Sequence, residues 1–232
     1  LAGDHVKSAS ELGLPFVGIG LFYRGGYFEQ VLDQQGQQHA NACALQPSTL
    51  PLRHARTPSG EPVHITVSIE GRDVHAMVWE VTVGRVRLFL LDTDVTTNSP
   101  EDRQITQRLY GGDNETRIRQ EIVLGFGGVR ALKALGLTPT VFHMNEGHAA
   151  FLTLERIRDA VAAGADFEAA RAACAKRNVF TTHTPVAAGF DIFSAEQIDR
   201  VLPGLAESLG TTRTTLNSLA AHVGNDTGEH GF

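Results

Sequence analysis

Six consecutive residues, His143-Met144-Asn145-Glu146-Gly147-His148, bring two imidazoles, a carboxylate and an amide together after the apolar pair Val141-Phe142. Further along, Asn178-Val179-Phe180 runs into Thr181-Thr182-His183-Thr184-Pro185, a second polar knot after a second apolar run. The first knot admits three uses. His143, Glu146 and His148 are all metal-ligand types, but their spacing is not H-E-x-x-H, which puts both histidines on one helical face. His143 also falls inside the apolar run, so no metal is expected. Glu146 and His148 could instead tie the strand end to a following helix, or they could face a ligand. His183 is open to the same two readings, a hydrogen-bonded structural residue or a ligand contact. No G-x-S-x-G elbow is present and neither cysteine lies in a turn beside a histidine, so nucleophilic hydrolysis has little support.

The elements that carry these knots alternate. From Thr140 the pattern predicts a strand, helices over 148–163 and 167–177, a strand over 179–182, and a helix opened by the capping box Ser194-Ala195-Glu196-Gln197. Such alternation indicates a parallel α/β sheet, in which ligands bind beyond the carboxyl ends of the strands. Both knots fall at those ends. Upstream, residues 61–92 alternate apolar and polar and are punctuated by Gly71-Arg72 and Gly84-Arg85, which predicts a β-meander with its third strand central. The clearest helix spans 115–136, capped by Asp113 or Asn114 and ended by Gly136. Gly125, Gly127 and Gly128 inside it each cost about 1 kcal/mol against Ala, which predicts a face where another backbone comes close. The turn Gly111-Gly112-Asp113-Asn114 reads either as a helix cap or as a Gly-hinged loop offering Asp113 and Asn114 to a polyhydroxyl ligand.

The first third is simpler. Leu1, Val6, Ala9 and Leu12 lie on one face of an opening helix stopped by Gly13, and PFVGIGLFY is read as a buried strand. RGGYFEQVLDQQGQQ reads as a turn and a short helix or irregular segment, and 43–60 as loop. Tyr23, Arg24, Tyr27 and Phe28 could stack on a sugar or simply pack. No G-x-G-x-x-G precedes a helix here, so a dinucleotide site has no support.

The chain has 232 residues, 42% of them hydrophobic and 20% charged, with a net charge of −6. Its basic residues are dispersed, which argues against nucleic-acid or anionic-membrane partners. No apolar run approaches the roughly 20 residues of a bilayer span, and no signal peptide is visible. Cys43 and Cys174 form no CxxC, as expected for free thiols in a reducing compartment. The opening residues read as a helix already in progress and the last ones leave off without a packed closing element, so a piece of a longer protein is expected.

Four stretches in order, LAGDHVKSASELGLPFVGIGLFYRGGYFEQ, LYGGDNETRIRQEIVLGFGG, VFHMNEGHAAF and TTHTPVAAGFD, resemble the α-glucan (glycogen/maltodextrin) phosphorylase family, in its short bacterial form. The resemblance implies a Rossmann-like N-terminal domain of a glycosyltransferase-B fold, partial over 1–232, with an inserted β-meander (about 61–92) and a parallel α/β portion (about 115–210). It implies phosphorolysis of terminal α-1,4-glucosyl units to glucose 1-phosphate, with α-1,4-glucan and phosphate as partners. Pyridoxal phosphate would be held by a C-terminal domain outside this chain, the family's Gly-rich phosphate loop would come before Leu1, and the complete protein would be a cytoplasmic enzyme capable of forming a homodimer. Asp113 and Asn114 correspond to the family's mobile gate. Asn145, Glu146 and His148 correspond to its strand-end motif. His183 corresponds to a catalytic-site histidine beside the terminal glucose, with Thr184 next to it. None of the three lysines matches the cofactor motif, so this chain alone is expected to be inactive. A glucan-binding module without chemistry, a glucan synthase of the same two-domain class and a metal-dependent hydrolase are the rival readings.

Overall fold

The computed structural model describes residues 2–26, 28–42, 44–109, 112–185 and 191–220, in two compact units. The first comprises Leu1–Ile65 and His75–Gln120, the second Thr66–Val74 and Glu121–Phe232. The chain is an α/β protein with a mixed sheet.

In the first unit, helix α1 (Ala2–Glu11) precedes β1 (Val17–Leu21). A hairpin follows, β2 (Phe28–Leu32) and β3 (Gln38–Ala42), paired antiparallel from Phe28↔Ala42 to Leu32↔Gln38. This replaces the short helix or irregular segment expected there. Asp33 decides it: its Oδ1 accepts the N–H groups of Gln35 (2.9 Å) and Gln37 (2.8 Å), and Gly36 takes φ +76° to close the turn. The main sheet runs β1-β7-β6-β4, with β4 at Arg53–His54, β5 at His64–Ile69, β6 at Arg72–Val83 and β7 at Val86–Asp92; β5 pairs with β6. β1 is parallel to β7, from Val17↔Arg87 to Leu21↔Leu91, and β7 is antiparallel to β6. Alternation is visible in burial: Ile65, Val67 and Ile69 of β5 and Val74, Ala76 and Val78 of β6 are buried. Gly84 closes the β6–β7 turn at φ +59° against α1, where Ser10 Oγ accepts the Arg85 N–H at 2.8 Å. A side chain at Gly84 would collide with that hydroxyl.

Helix α2 (Asn114–Ile122) begins in the first unit. Asp113 caps it, its Oδ1 accepting the Thr116 N–H at 3.0 Å. Gln120 Nε2 donates to the carbonyls of Ile105 and Arg108, fastening the long polar connection that precedes the helix.

In the second unit the helix continues through a π-turn, Val123–Gly127, into α3 (Gly128–Ala134), and Gly136 in the left-handed region (φ +68°) stops it. The close backbone approach expected from the glycines is found at Gly125. A Cβ there would lie 2.6 Å from Phe151 Cβ and 2.8 Å from Leu152 N, the start of α4 (Phe151–Ala162). After α5 (Phe167–Ala175) comes β9 (Asn178–Thr181), parallel to β8 (Phe142–Asn145) from Phe142↔Asn178 to Asn145↔Thr181. Arg130 joins α3 to α4 through Glu155 at 2.8 Å and to β5 through the carbonyl of Thr66. α6 (Ala195–Val201), capped by Ser194 Oγ on the Gln197 N–H, is followed by α7 (Leu205–Ser208) and α8 (Arg213–Ala220).

Candidate functional site

The β8–β9 register sets Asn145 beside Thr181, so the residues after each strand meet at their carboxyl ends. The ladder runs one step further, Glu146 N donating to Thr181 O at 2.9 Å. Glu146 itself has φ +63° and ψ −167°, a conformation that non-glycine residues seldom hold without support from their surroundings. Its side chain supplies part of that support. Oε1 accepts the N–H of His183 at 2.6 Å and of Thr184 at 2.8 Å, so one carboxylate oxygen gathers the second knot onto the first. These bonds, the His183 N–H foremost, hold the carboxyl below its ordinary pKa. The other oxygen, Oε2, is buried with no hydrogen-bond partner among the described residues.

His183 is held by its ring as well. Nε2 lies 2.8 Å from Asn145 Oδ1, and Nδ1 lies 3.3 Å from both Thr184 Oγ1 and Glu146 Oε1. Asn145, Glu146, His183 and Thr184 therefore form one hydrogen-bonded group, with the His183 side chain 30% exposed at its surface. His143 stands apart from it and bonds Thr181 Oγ1 through its own Nε2.

His148 has different partners. Its Nδ1 lies 3.3 Å from Glu121 Oε1 and 3.7 Å from Asp191 Oδ2. Burial raises the Glu121 carboxyl above its ordinary pKa and the charge of Asp191 adds to that, while the His148 hydrogen bond opposes it. These three, rather than His143, Glu146 and His148, are the residues among those described that could hold a metal ion, with ligand atoms within 4.8 Å of one another. Sequence reasoning missed Glu121 and Asp191. The available signal was Glu121 itself, a carboxylate adjoining Ile122 and three residues from Ile118, both fully buried.

Asp113 and Asn114 belong to the first unit. Asp113 is exposed and occupied as the cap of α2, its carboxyl lowered first by the Thr116 N–H. Gly111, at the head of the expected hinge, lies outside the described residues, as do Tyr27 and Cys43. Of the aromatic and basic set proposed to stack on a sugar, Arg24 is committed to Asp92 at 2.8 Å and to Asp94 at 3.3 Å, and Phe28 is 52% exposed on β2. Cys174 is buried and unpaired. A cavity of ≈ 690 Å³ lies at the opposite, amino ends of β8 and β9, where Phe142 and Arg177 line it with Leu132, Arg156 and Cys174, away from the polar knots.

The paired strand ends of this α/β protein carry polar residues fixed by one another, at the carboxyl side of the strands where such folds commonly bind ligands. No protein-family model matches the chain. It is 50% identical over 207 residues to the glycogen phosphorylase of Mycobacterium tuberculosis, covering 86% of this chain and 24% of that protein. It is 46% identical over 209 residues to the maltodextrin phosphorylase of Thermococcus litoralis (90% and 25%) and 36% identical over 199 residues to the glycogen phosphorylase of Aquifex aeolicus (86% and 29%). The chain thus spans about a quarter of the length of these relatives. It corresponds to a fragment of the glycogen/maltodextrin phosphorylase family.

Proposed function

We propose that this chain is part of the N-terminal, glycosyltransferase-B-type domain of a cytoplasmic α-glucan phosphorylase, and that it supplies one wall of the glucose site. The complete enzyme takes α-1,4-glucan and phosphate and releases glucose 1-phosphate from the chain end. The observation that carries this reading is the Glu146 clamp. By binding the His183 and Thr184 N–H groups it fixes the peptide that presents His183. A fixed carbonyl at His183 can accept a hydrogen bond from a sugar hydroxyl, and its dipole can help as positive charge develops at the anomeric carbon. Asn145 and Thr184 orient the His183 ring, and His148 offers a further polar contact. Asp113 and Asn114 act as the gate, with Asp113 leaving its capping position when the gate moves.

Pyridoxal phosphate, which such an enzyme uses through its phosphate group, does not fit the residues of this chain. Lys7 and Lys176 are exposed, and Lys133 is paired with Asp159 on the helical surface. We assign the cofactor to a part of the enzyme outside this chain and derive no step through it. A homodimer of the complete enzyme belongs to the same reading.

The test is phosphorolysis by the complete enzyme. Maltooligosaccharide and phosphate should give glucose 1-phosphate, His183→Ala should lower kcat at least tenfold, and the 232-residue chain alone should give no turnover. Glucan binding without turnover by the complete protein would make this a binding module, and transfer from a nucleotide sugar would make it a synthase.

A further inference from the structure

Glu121 approaches His148 because of where the helix around it can go. Glu121 and Gly125 are four residues apart and share a helix face. Opposite them, His148 and Phe151 are three residues apart at the entry to α4. The absent Cβ at Gly125 lets the Phe151–Leu152 backbone approach within contact distance, and the same approach, one turn earlier, brings Glu121 Oε1 to 3.3 Å from His148 Nδ1. Asp191 Oδ2 joins the same ring nitrogen at 3.7 Å. Two carboxyl groups therefore crowd Nδ1. An ionised carboxylate accepts hydrogen bonds and donates none, and against the burial that raises the Glu121 carboxyl the bond to His148 favours that form; a neutral imidazole carries its proton on one nitrogen and a lone pair on the other. A lone pair on Nδ1 would face their oxygens; a proton there is held by them.

We propose that Glu121, with Asp191, is a positioning residue for His148: it holds the ring as the Nδ1–H tautomer and so makes Nε2 the acceptor for a hydroxyl of a glucan. This rests on the reading of this edge as a sugar site. It adds a residue buried beneath that edge, one that touches no sugar itself, to the residues that determine how the sugar is held.

The tautomer is measured without any glucan. In the ¹⁵N-labelled 232-residue chain, long-range ¹H–¹⁵N correlation through the imidazole rings distinguishes a protonated Nδ1 from a protonated Nε2, and His148→Asn identifies the His148 signals among the ten histidines. Wild type should show Nδ1–H. Glu121→Gln, which retains a carbonyl oxygen, should keep it, and Glu121→Ala should shift the ring toward the Nε2–H form. An Nε2–H ring in the wild type overturns the proposal, as does an Nδ1–H ring unmoved by Glu121→Ala. Saturable broadening of the His148 signals by Mn²⁺ would make the three residues a cation site and overturn it as well. If Glu121→Ala does not fold, the wild-type tautomer still decides.

The sugar half is read in the complete enzyme. Glu121→Ala should raise KM for maltooligosaccharide about tenfold with a smaller change in kcat, a factor typical of one lost hydrogen bond, and Glu121→Gln should restore most of it. An Nδ1–H ring with an unchanged KM would overturn the acceptor role while leaving the phosphorylase reading intact. Absence of phosphorolysis in the wild-type enzyme would overturn that reading and leave the tautomer result standing.

Discussion

Asp92 and Glu146 are both buried carboxylates at strand ends, one in each unit, and they are held in opposite ways. Asp92 closes β7 and is fully buried. Its Oδ2 accepts from the Arg24 guanidinium at 2.8 Å and the Trp79 indole N–H at 2.9 Å, and its Oδ1 accepts from the Asp94 N–H at 3.0 Å. Glu146 follows β8 and is 3% exposed, yet its carboxylate is held by backbone N–H groups and not by a guanidinium. A cation-clamped carboxylate is spent on the fold, because both partners lose their purpose if either is removed. One held by the backbone organises main-chain groups without a guanidinium partner, and does so at an unusual backbone angle. The second arrangement sets main-chain geometry at the strand ends without bringing counter-charge to them.

The largest effect expected from this contrast is at Asp92. Asp92→Ala leaves the Trp79 N–H without its acceptor and Arg24 with Asp94 in place of its nearer partner. Breaking a buried pair from one side costs about 3–5 kcal/mol, which for a chain of this size lowers Tm by roughly 10 °C. Thermal unfolding followed by circular dichroism measures it. A loss below about 1 kcal/mol would mean that Arg24 and Trp79 find other acceptors, and the closed network on which the comparison stands would be wrong.

At Glu146 a smaller and more local effect is expected. Glu146→Gln keeps shape and one acceptor but removes the charge, so global stability should change little while the His183 and Thr184 amides exchange about tenfold faster, because hydrogen bonds to a charged acceptor are the stronger kind. The pH dependence has a definite sign. The folded carboxyl is depressed, so its contribution is complete above the unfolded value of about 4.3 and is lost as pH falls through the lower folded value. Wild type and variant should therefore converge in acid. Equal exchange at neutral pH would show that the knot is held by the strand ladder alone.

The backbone-held edge was legible in outline from sequence because strand ends in an alternating α/β pattern are predictable places, and the two knots announced themselves by composition. The identity of the clamp was not. In sequence Glu146 reads as a ligand contact or a tie to the following helix, whereas its Oε1 reaches across to the N–H groups of His183 and Thr184, thirty-seven and thirty-eight residues on. Periodicity carries no information about such a pairing. Nor does it join Glu121 to His148, which depends on a π-turn and on the single missing Cβ at Gly125. The β2–β3 hairpin was missed for a local reason: Phe28–Leu32 lacks alternation, and the turn chemistry resides in Asp33 and Gly36, inside a stretch whose composition looked irregular. Arg24 shows the same limit. Its neighbours in sequence leave sugar stacking and packing both open, and its partner in space is a buried aspartate that local sequence does not point to.

The smallest effect expected is at Asp113, which separates burial from donor type as the cause of the contrast. Like Glu146, Asp113 is held by neutral donors, the Thr116 N–H at 3.0 Å and its hydroxyl at 3.1 Å, and its carboxyl is likewise depressed, the N–H foremost. Unlike Glu146 it is exposed, so water can replace what a substitution removes. Asn serves an N-cap about as well as Asp, and Asp113→Asn should shift Tm by about 1 °C or less. If burial makes Glu146 matter, Asp113→Asn will also leave the Thr116 amide exchange nearly unchanged, while Glu146→Gln speeds that of His183. A fall in Tm of several degrees for Asp113→Asn would instead assign the effect to charge, through the favourable placement of an anion at the amino end of α2. The two carboxylates would then differ in degree and not in kind.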